Sequence, residues 1–159
     1  MSKWPAEDPE LAKFKGPHVA VDIALLTVAE REGGSKALAA LVSRRKTGLA
    51  KGEWALVGRM VRERESLADA AKVALSEKCG IKGLRVKQLF VSDEPARDSR
   101  GWVMSVAHLA TMSWEELNPL IEADKNLDLV FIEVSARSKY VLPDQQRALP
   151  FEHDLILDE

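Results

Sequence analysis

Apolar positions along this chain fall in runs whose period changes. HVAVDIALLTV (His18–Val28) is a long apolar run with β-branched residues, the pattern of a buried strand. AEREGGSK (29–36) interrupts it with charges and a Gly-Gly pair, a turn signal. ALAALVSRRK (37–46) offers a second strand, so a hairpin is expected, although its alanines are weak strand formers. KTGLAKGE (46–53) reads as a loop, and WALVGRMV (54–61) as a short apolar segment interrupted by Gly58. Leu67–Lys78 lacks Gly and Pro. Its Leu67, Ala70, Ala71, Ala74 and Leu75 form one apolar face at helical spacing. Ser66 with Asp69 gives a capping box before it, and Gly80 stands where a helix-ending glycine belongs.

LRVKQLFVSD (84–93) and GWVMSVAHLATM (101–112) read as strands around the polar loop EPARDSRG. Ser113 and Glu116 form a second capping box, starting a short helix that Pro119 should limit. DLVFIEV (128–134) is the last expected strand. The tail LPDQQRALPFEHDLILDE should form a C-terminal helix, broken or restarted near Pro150. The order of elements predicts an α+β fold, an α/β/α sandwich with a mixed β-sheet. Residues 1–17 read as an N-terminal arm and 18–159 as a single domain.

Composition narrows the function classes. At 159 residues, 46% of them hydrophobic and 30% charged, the chain suits one ordinary globular domain. A net charge of −2 argues against direct nucleic-acid binding by the whole chain. The single cysteine, Cys79, allows no intrachain disulfide and suits a reducing compartment. The first residues lack the apolar core of a signal peptide, and no run approaches the ~20 residues of a membrane span. A cytoplasmic protein with no membrane contact is expected, as a monomer or small oligomer.

The segment WALVGRMVRERESLADAAKVALSEKCGI (Trp54–Ile81) carries a specific resemblance. It resembles the Nudix box: G, five residues, E, seven residues, R-E-U, one residue, E-E, one residue, G-U, with U apolar. Anchored on Gly80-Ile81, the pattern places Glu65 on its first glutamate. Val73-Ala74-Leu75 then fall on R-E-U and Glu77-Lys78 on E-E. The opening glycine falls on Arg59, one place after Gly58. Carboxylates at i, i+3 and i+4 share one helix face and there hold Mg²⁺ against a diphosphate. Here those positions are Ala74, Glu77 and Lys78, so one carboxylate remains beside an ammonium. Between Arg59 and Ile81 five bases (Arg59, Arg62, Arg64, Lys72, Lys78) outnumber four acids (Glu63, Glu65, Asp69, Glu77). A degenerate box that binds phosphate directly through cations and backbone N–H groups is expected.

HVAVDIALLTV, LVSRRK, RDSRGWVMSVAHLA and ALPFEHDLI extend the likeness to one branch of the superfamily, over about residues 18 to 157. There, the Nudix-like domain of transcriptional regulators of NAD and sugar metabolism binds ADP-ribose or a related sugar nucleotide. Those regulators continue into a winged-helix domain, which is expected to be absent here. The resemblance implies a nucleotide-sugar ligand, a homodimer and a pyrophosphatase activity that is weak or lost. It implies no cofactor beyond Mg²⁺ or Mn²⁺, and those only if hydrolysis persists.

Two alternatives stand beside this reading. One is an active pyrophosphohydrolase that recruits Asp93, Glu94 or Asp98 from the loop after the helix. The other is a structural domain or an accessory regulatory subunit. Ligand-binding candidates implied by the family are Arg44, Arg45, Arg97 and Arg100; Lys78 joins them because it could supply a positive charge in place of the metal, and it equally fits a last-turn lysine favoured by the helix dipole. Arginine forks match phosphate geometry, and strand alternation should bring only one of Arg44 and Arg45 to a ligand. Glu65 and Glu77 are the residual catalytic candidates, with Glu77 a possible metal ligand. Each fits better as a solvated residue near a helix end. Trp102 and Phe151 are candidate stacking residues that fit a core as well. His108 fits a satisfied core histidine, His153 a structural position, and Cys79 an unreactive thiol.

Overall fold

A computed structural model describes residues 3–48, 50–133 and 139–141. Seven strands form one sheet: β1 (His18–Glu30), β2 (Lys36–Arg44), β3 (Trp54–Met60), β4 (Lys87–Ser92), β5 (Val103–Thr111), β6 (Leu127–Glu133) and β7 (Lys139–Val141). Their order is β4-β5-β1-β3-β2-β6-β7. β1 and β5 run parallel from His18↔Val103 to Leu26↔Thr111, and every other pairing is antiparallel. The sheet is therefore mixed. β1 lies inside it, with Ala20 to Leu25 all buried, which is why its sequence is a continuous apolar run rather than an alternation.

The expected hairpin forms, with Glu30 opposite Lys36. It then forks. The second half of β1 pairs with β2, whereas Ala20 to Ile23 pair with Met60 to Val57 of β3. β3 wedges in because β2 continues past the fork, where Val42 to Arg44 pair with Leu56 to Trp54.

Helix α1 (Leu67–Cys79) starts where the capping box placed it, with Ser66 Oγ accepting from the Asp69 N–H (3.1 Å). Gly80 ends it at φ +69°, a left-handed conformation that a side chain resists. Its Ala70, Ala71, Ala74, Leu75 and Cys79 are buried, packing with Ile23, Leu25 and Val57 on one sheet face. Helix α2 (Trp114–Ala123) is capped by Ser113, whose Oγ accepts from Glu116 N–H (3.3 Å). Contrary to expectation, α2 runs through Pro119. An interior proline costs about 3 kcal/mol. Leu117 is fully buried and Trp114, Leu120 and Ile121 pack beside it, which offsets that cost. α2 joins the same apolar cluster as α1.

The opposite face carries a second cluster, Ala24, Ala40, Val42, Trp54, Leu56, Ala107, Val130 and Ile132. The expected C-terminal helix, the third layer of the sandwich, lies outside the described residues. β4 begins at Lys87 rather than Leu84, because Leu84 and Val86 turn onto the core as a connector. β7 was not anticipated; three residues are too short for a periodic signal. In the arm, Leu11–Lys13 form one exposed 3₁₀ turn. No described helix is long and apolar enough to cross a membrane.

Candidate functional site

The fork in the sheet places a carboxylate and a glycine against each other. Asp22 on β1 pairs in register with Gly58 on β3. A side chain at 58 would collide with the Asp22 carboxylate and the Val21 carbonyl, so the close approach requires glycine. Asp22 is buried, and the Ser105 hydroxyl of β5 donates to its Oδ2. From the last turn of α1 the Lys78 ammonium donates to the Gly58 carbonyl. Lys78 as a residue is exposed, yet its ammonium is partly withdrawn from water there. Burial lowers its pKa below 10.5, Arg45 lowers it further, and Asp22 opposes both.

The loop between β4 and β5 supplies the facing wall. Arg100 grips Asp98 with both arms of its fork, Nε to Oδ1 at 3.0 Å and Nη2 to Oδ2 at 2.7 Å. The Arg100 backbone N–H adds a third bond to Oδ1 (2.9 Å). Those bonds hold the Asp98 carboxyl below its ordinary pKa and raise that of Arg100. Arg97 is buried, its Nη1 donating to the Val103 carbonyl (3.3 Å). Arg45, just beyond β2, has its pKa lowered by burial first and by Arg100 next.

These groups line a cavity of about 180 Å³. Arg45, Arg59, Arg62, Lys78, Arg97 and Arg100 face it, against only two carboxylates, Asp22 and Asp98. A neighbouring cavity of about 330 Å³ shares Arg45, Leu56 and Lys78 with it. That second cavity adds Arg44, whose guanidinium lies 4.7 Å from the Trp54 ring centre, together with Lys46 and Glu77.

Of the residues singled out in the sequence, Arg45, Lys78, Arg97 and Arg100 converge on the first cavity, and Arg44 and Glu77 line the second. Glu65 lines neither. It precedes the Ser66 cap and accepts from Arg59 Nη1 (3.1 Å) and the Arg62 N–H (3.0 Å). Asp98, a candidate replacement acid, is engaged by Arg100. Asp93 and Glu94 are exposed, Glu94 accepting from the Ala96 N–H (3.3 Å). Among the described residues no three of His, Cys, Asp and Glu gather as a metal-binding group.

Trp102 is exposed. His108 is buried and donates through Nδ1 to the Val106 carbonyl (2.8 Å), as a satisfied core histidine does. Cys79 is buried and its thiol is pushed up to about 12 by that burial, which leaves it unreactive. Phe151 and His153 lie outside the described residues. Sequence reading missed Asp22, Arg59 and Arg62 as lining groups. For Asp22 the signal was present: it is the lone charge inside an apolar strand, and such a charge needs partners.

Solved structures share this fold. A mutT/nudix family protein from Listeria innocua is similar at 28% identity and TM-score 0.70, covering 91% of this chain and 92% of its own. The NUDIX domain of Shewanella oneidensis NrtR, solved with ADP ribose, matches at 26% identity and TM-score 0.64. That match covers 96% of this chain and 90% of the domain. NrtR solved with a 27mer DNA matches at 25% identity and TM-score 0.67, over 88% of this chain and 59% of that one. No family model matches the sequence, and no curated protein does. The chain has the Nudix fold. The expected Nudix resemblance is borne out by these matches, which include the NUDIX domain of NrtR.

Proposed function

We propose that this chain binds a nucleoside-diphosphate-linked metabolite of the ADP-ribose type through cationic side chains, with pyrophosphatase activity weak or lost. The observation that carries this reading is the position of Lys78. Its ammonium donates to the Gly58 carbonyl at the mouth of a cavity faced by six cationic side chains and two carboxylates. Arginine forks and an ammonium satisfy diphosphate oxygens without a metal.

The helix does not fit Mg²⁺ or Mn²⁺. Of its three family metal positions, Ala74 is buried in the core, Glu77 carries the one carboxylate, and Lys78 brings a positive charge. Asp98 is held by Arg100, which counts against its recruitment as a replacement ligand. The ADP-ribose complex of the similar NrtR domain supports the choice of ligand class. A homodimer belongs to the same reading and is checked by light scattering after gel filtration.

Calorimetric titration of ADP-ribose in EDTA should give saturable binding that Arg97→Ala weakens. In parallel, ADP-ribose with Mg²⁺ or Mn²⁺ should release no more than trace AMP. Rapid AMP release that disappears in Glu77→Gln would instead establish a metal-dependent hydrolase. Absence of binding by any nucleotide sugar would leave a structural or accessory role.

A further inference from the structure

The diphosphate reading uses the first cavity, and the second cavity carries more positive charge than the neutral parts of a nucleotide sugar call for. A ribose or an adenine is neutral at pH 7 and asks for hydroxyl partners or an apolar slot. The second cavity instead gathers Arg44, Arg45, Lys46 and Lys78 around one carboxylate, Glu77. Its remaining wall mixes apolar Leu56 and Ala55 with the short polar side chains of Ser43, Thr47 and Asn126.

Local structure holds the cations in place. The Trp54 indole lies beneath the Arg44 guanidinium at 4.7 Å, and the Arg44 N–H donates to the Asn126 carbonyl (2.8 Å). Bonds from Arg45 N–H to the Glu53 carbonyl and from Gly52 N–H to the Arg45 carbonyl, both 2.8 Å, close the loop that carries Lys46. At about 180 Å³ the first cavity is too small for a whole nucleotide sugar, whose pockets run to roughly 300 Å³ or more. A ligand that extends from the first cavity into the second passes Arg45, Leu56 and Lys78, which line both.

We propose that the second cavity is a separate phosphate subsite, so that the ligand bears a phosphomonoester in addition to its diphosphate. This rests on the diphosphate reading of the first cavity. Arg45 and Lys78 lie between the two groups and serve both, while Arg44 and Lys46 serve the monoester alone. Glu77 stands against the monoester and limits how tightly it is held.

The test compares ADP-ribose with ADP-ribose 2′-phosphate and ADP-ribose 1″-phosphate, which carry the monoester at opposite ends. All are titrated by calorimetry in EDTA against the full chain. One of the two phosphorylated compounds should bind about tenfold or more tightly than ADP-ribose, as a new charge-assisted contact pair provides. The ratio of that compound's affinity to that of ADP-ribose should fall severalfold in Lys46→Gln, an exposed loop position. The same ratio should rise in Glu77→Gln. Binding of ADP-ribose with no gain from either phosphate would overturn the subsite and leave the diphosphate reading intact. A gain that survives Lys46→Gln and ignores Glu77→Gln would also overturn it, because the monoester would then sit elsewhere. Failure of all three compounds to bind would overturn both readings.

Discussion

Replacing Asp22 with asparagine should lower stability and raise ligand affinity at once. The carboxamide and carboxylate shapes are alike, and Ser105 can donate to Asn as it does to Asp22, so the change removes the charge and one acceptor oxygen while keeping that bond. Arg45, Lys78 and Arg100 all feel the Asp22 charge. A unit pair ~6 Å apart at an effective dielectric of ~20 interacts by roughly 3 kcal/mol. Arg100 is exposed and Arg45 half-buried, so water screens each pair to about 1 kcal/mol or less. The loss of stability should total about 1–3 kcal/mol. At roughly 2–4 °C per kcal/mol for a chain of this size, Tm falls by about 3–10 °C.

Binding responds with the opposite sign. Asp22 is a fixed negative charge at the cavity that is to receive a diphosphate, and the ligand must compete with it for the same cations. Its removal should tighten ADP-ribose binding roughly tenfold to a hundredfold, about 1.4–2.8 kcal/mol. Thermal unfolding with and without ADP-ribose, together with calorimetry in EDTA, reads both quantities. With saturating ligand the Tm deficit of Asp22→Asn should largely close, since the phosphates replace the missing charge. An affinity that falls together with stability would refute the reasoning. It would mean that Asp22 aligns the cations for the ligand rather than competing with it.

Gly58→Ala should destabilise by about 1–3 kcal/mol in urea unfolding, because the added methyl meets the Asp22 carboxylate and the Val21 carbonyl, and strand backbone must shift. Lys78 also predicts a pH dependence. Its folded pKa is lowered, so its protonated form costs stability below that pKa, and the cost is relieved as pH rises through the window up to 10.5. Ligand phosphates favour the protonated form, so ADP-ribose affinity should fall as pH rises through the same window. A flat affinity profile, or an equal fall in Lys78→Met, would remove Lys78 from the binding step. Lys78→Glu should release no more AMP than the unmodified chain when Mg²⁺ is supplied, because Val73 and Ala74 still stand where arginine and glutamate are needed. Substantial turnover in that variant would show that the alignment of the box to α1 is shifted.

What the sequence revealed of the fold was whatever neighbours in the chain decide. The two serine caps, the Gly80 stop and the Gly-Gly turn are settled within a few residues, and each element begins or ends where those signals stand. The fork of β1 between β2 and β3 was not legible. It depends on which strand β3 displaces, a choice made by packing rather than by any local pattern. Pro119 was misjudged for a related reason: the local rule was right about the cost and silent about Leu117, whose burial is tertiary. Among site residues Lys78 was visible through the box, and Arg44, Arg45, Arg97 and Arg100 through the wider family likeness. Asp22 stood out as the lone charge in an apolar run, but its partners were not legible, because Ser105 lies 83 residues away and its cationic neighbours come from three other parts of the chain.

Holding the cation cluster out of water carries a cost. Arg45 and Lys78 each have a lowered pKa whose first cause is burial and whose second is a neighbouring arginine, so the native state holds both charges against solvation and against each other. Neither sits in an apolar core cluster, and six cationic side chains line the cavity with two carboxylates, Asp22 and Asp98. A perturbed cluster in a cleft points to a bound partner of opposite sign. If the cost is repaid by a ligand, each of these cations should weaken binding when neutralised while leaving stability unchanged or improved. That divergence distinguishes a binding site from a structural ion network, in which stability and charge pairing fall together.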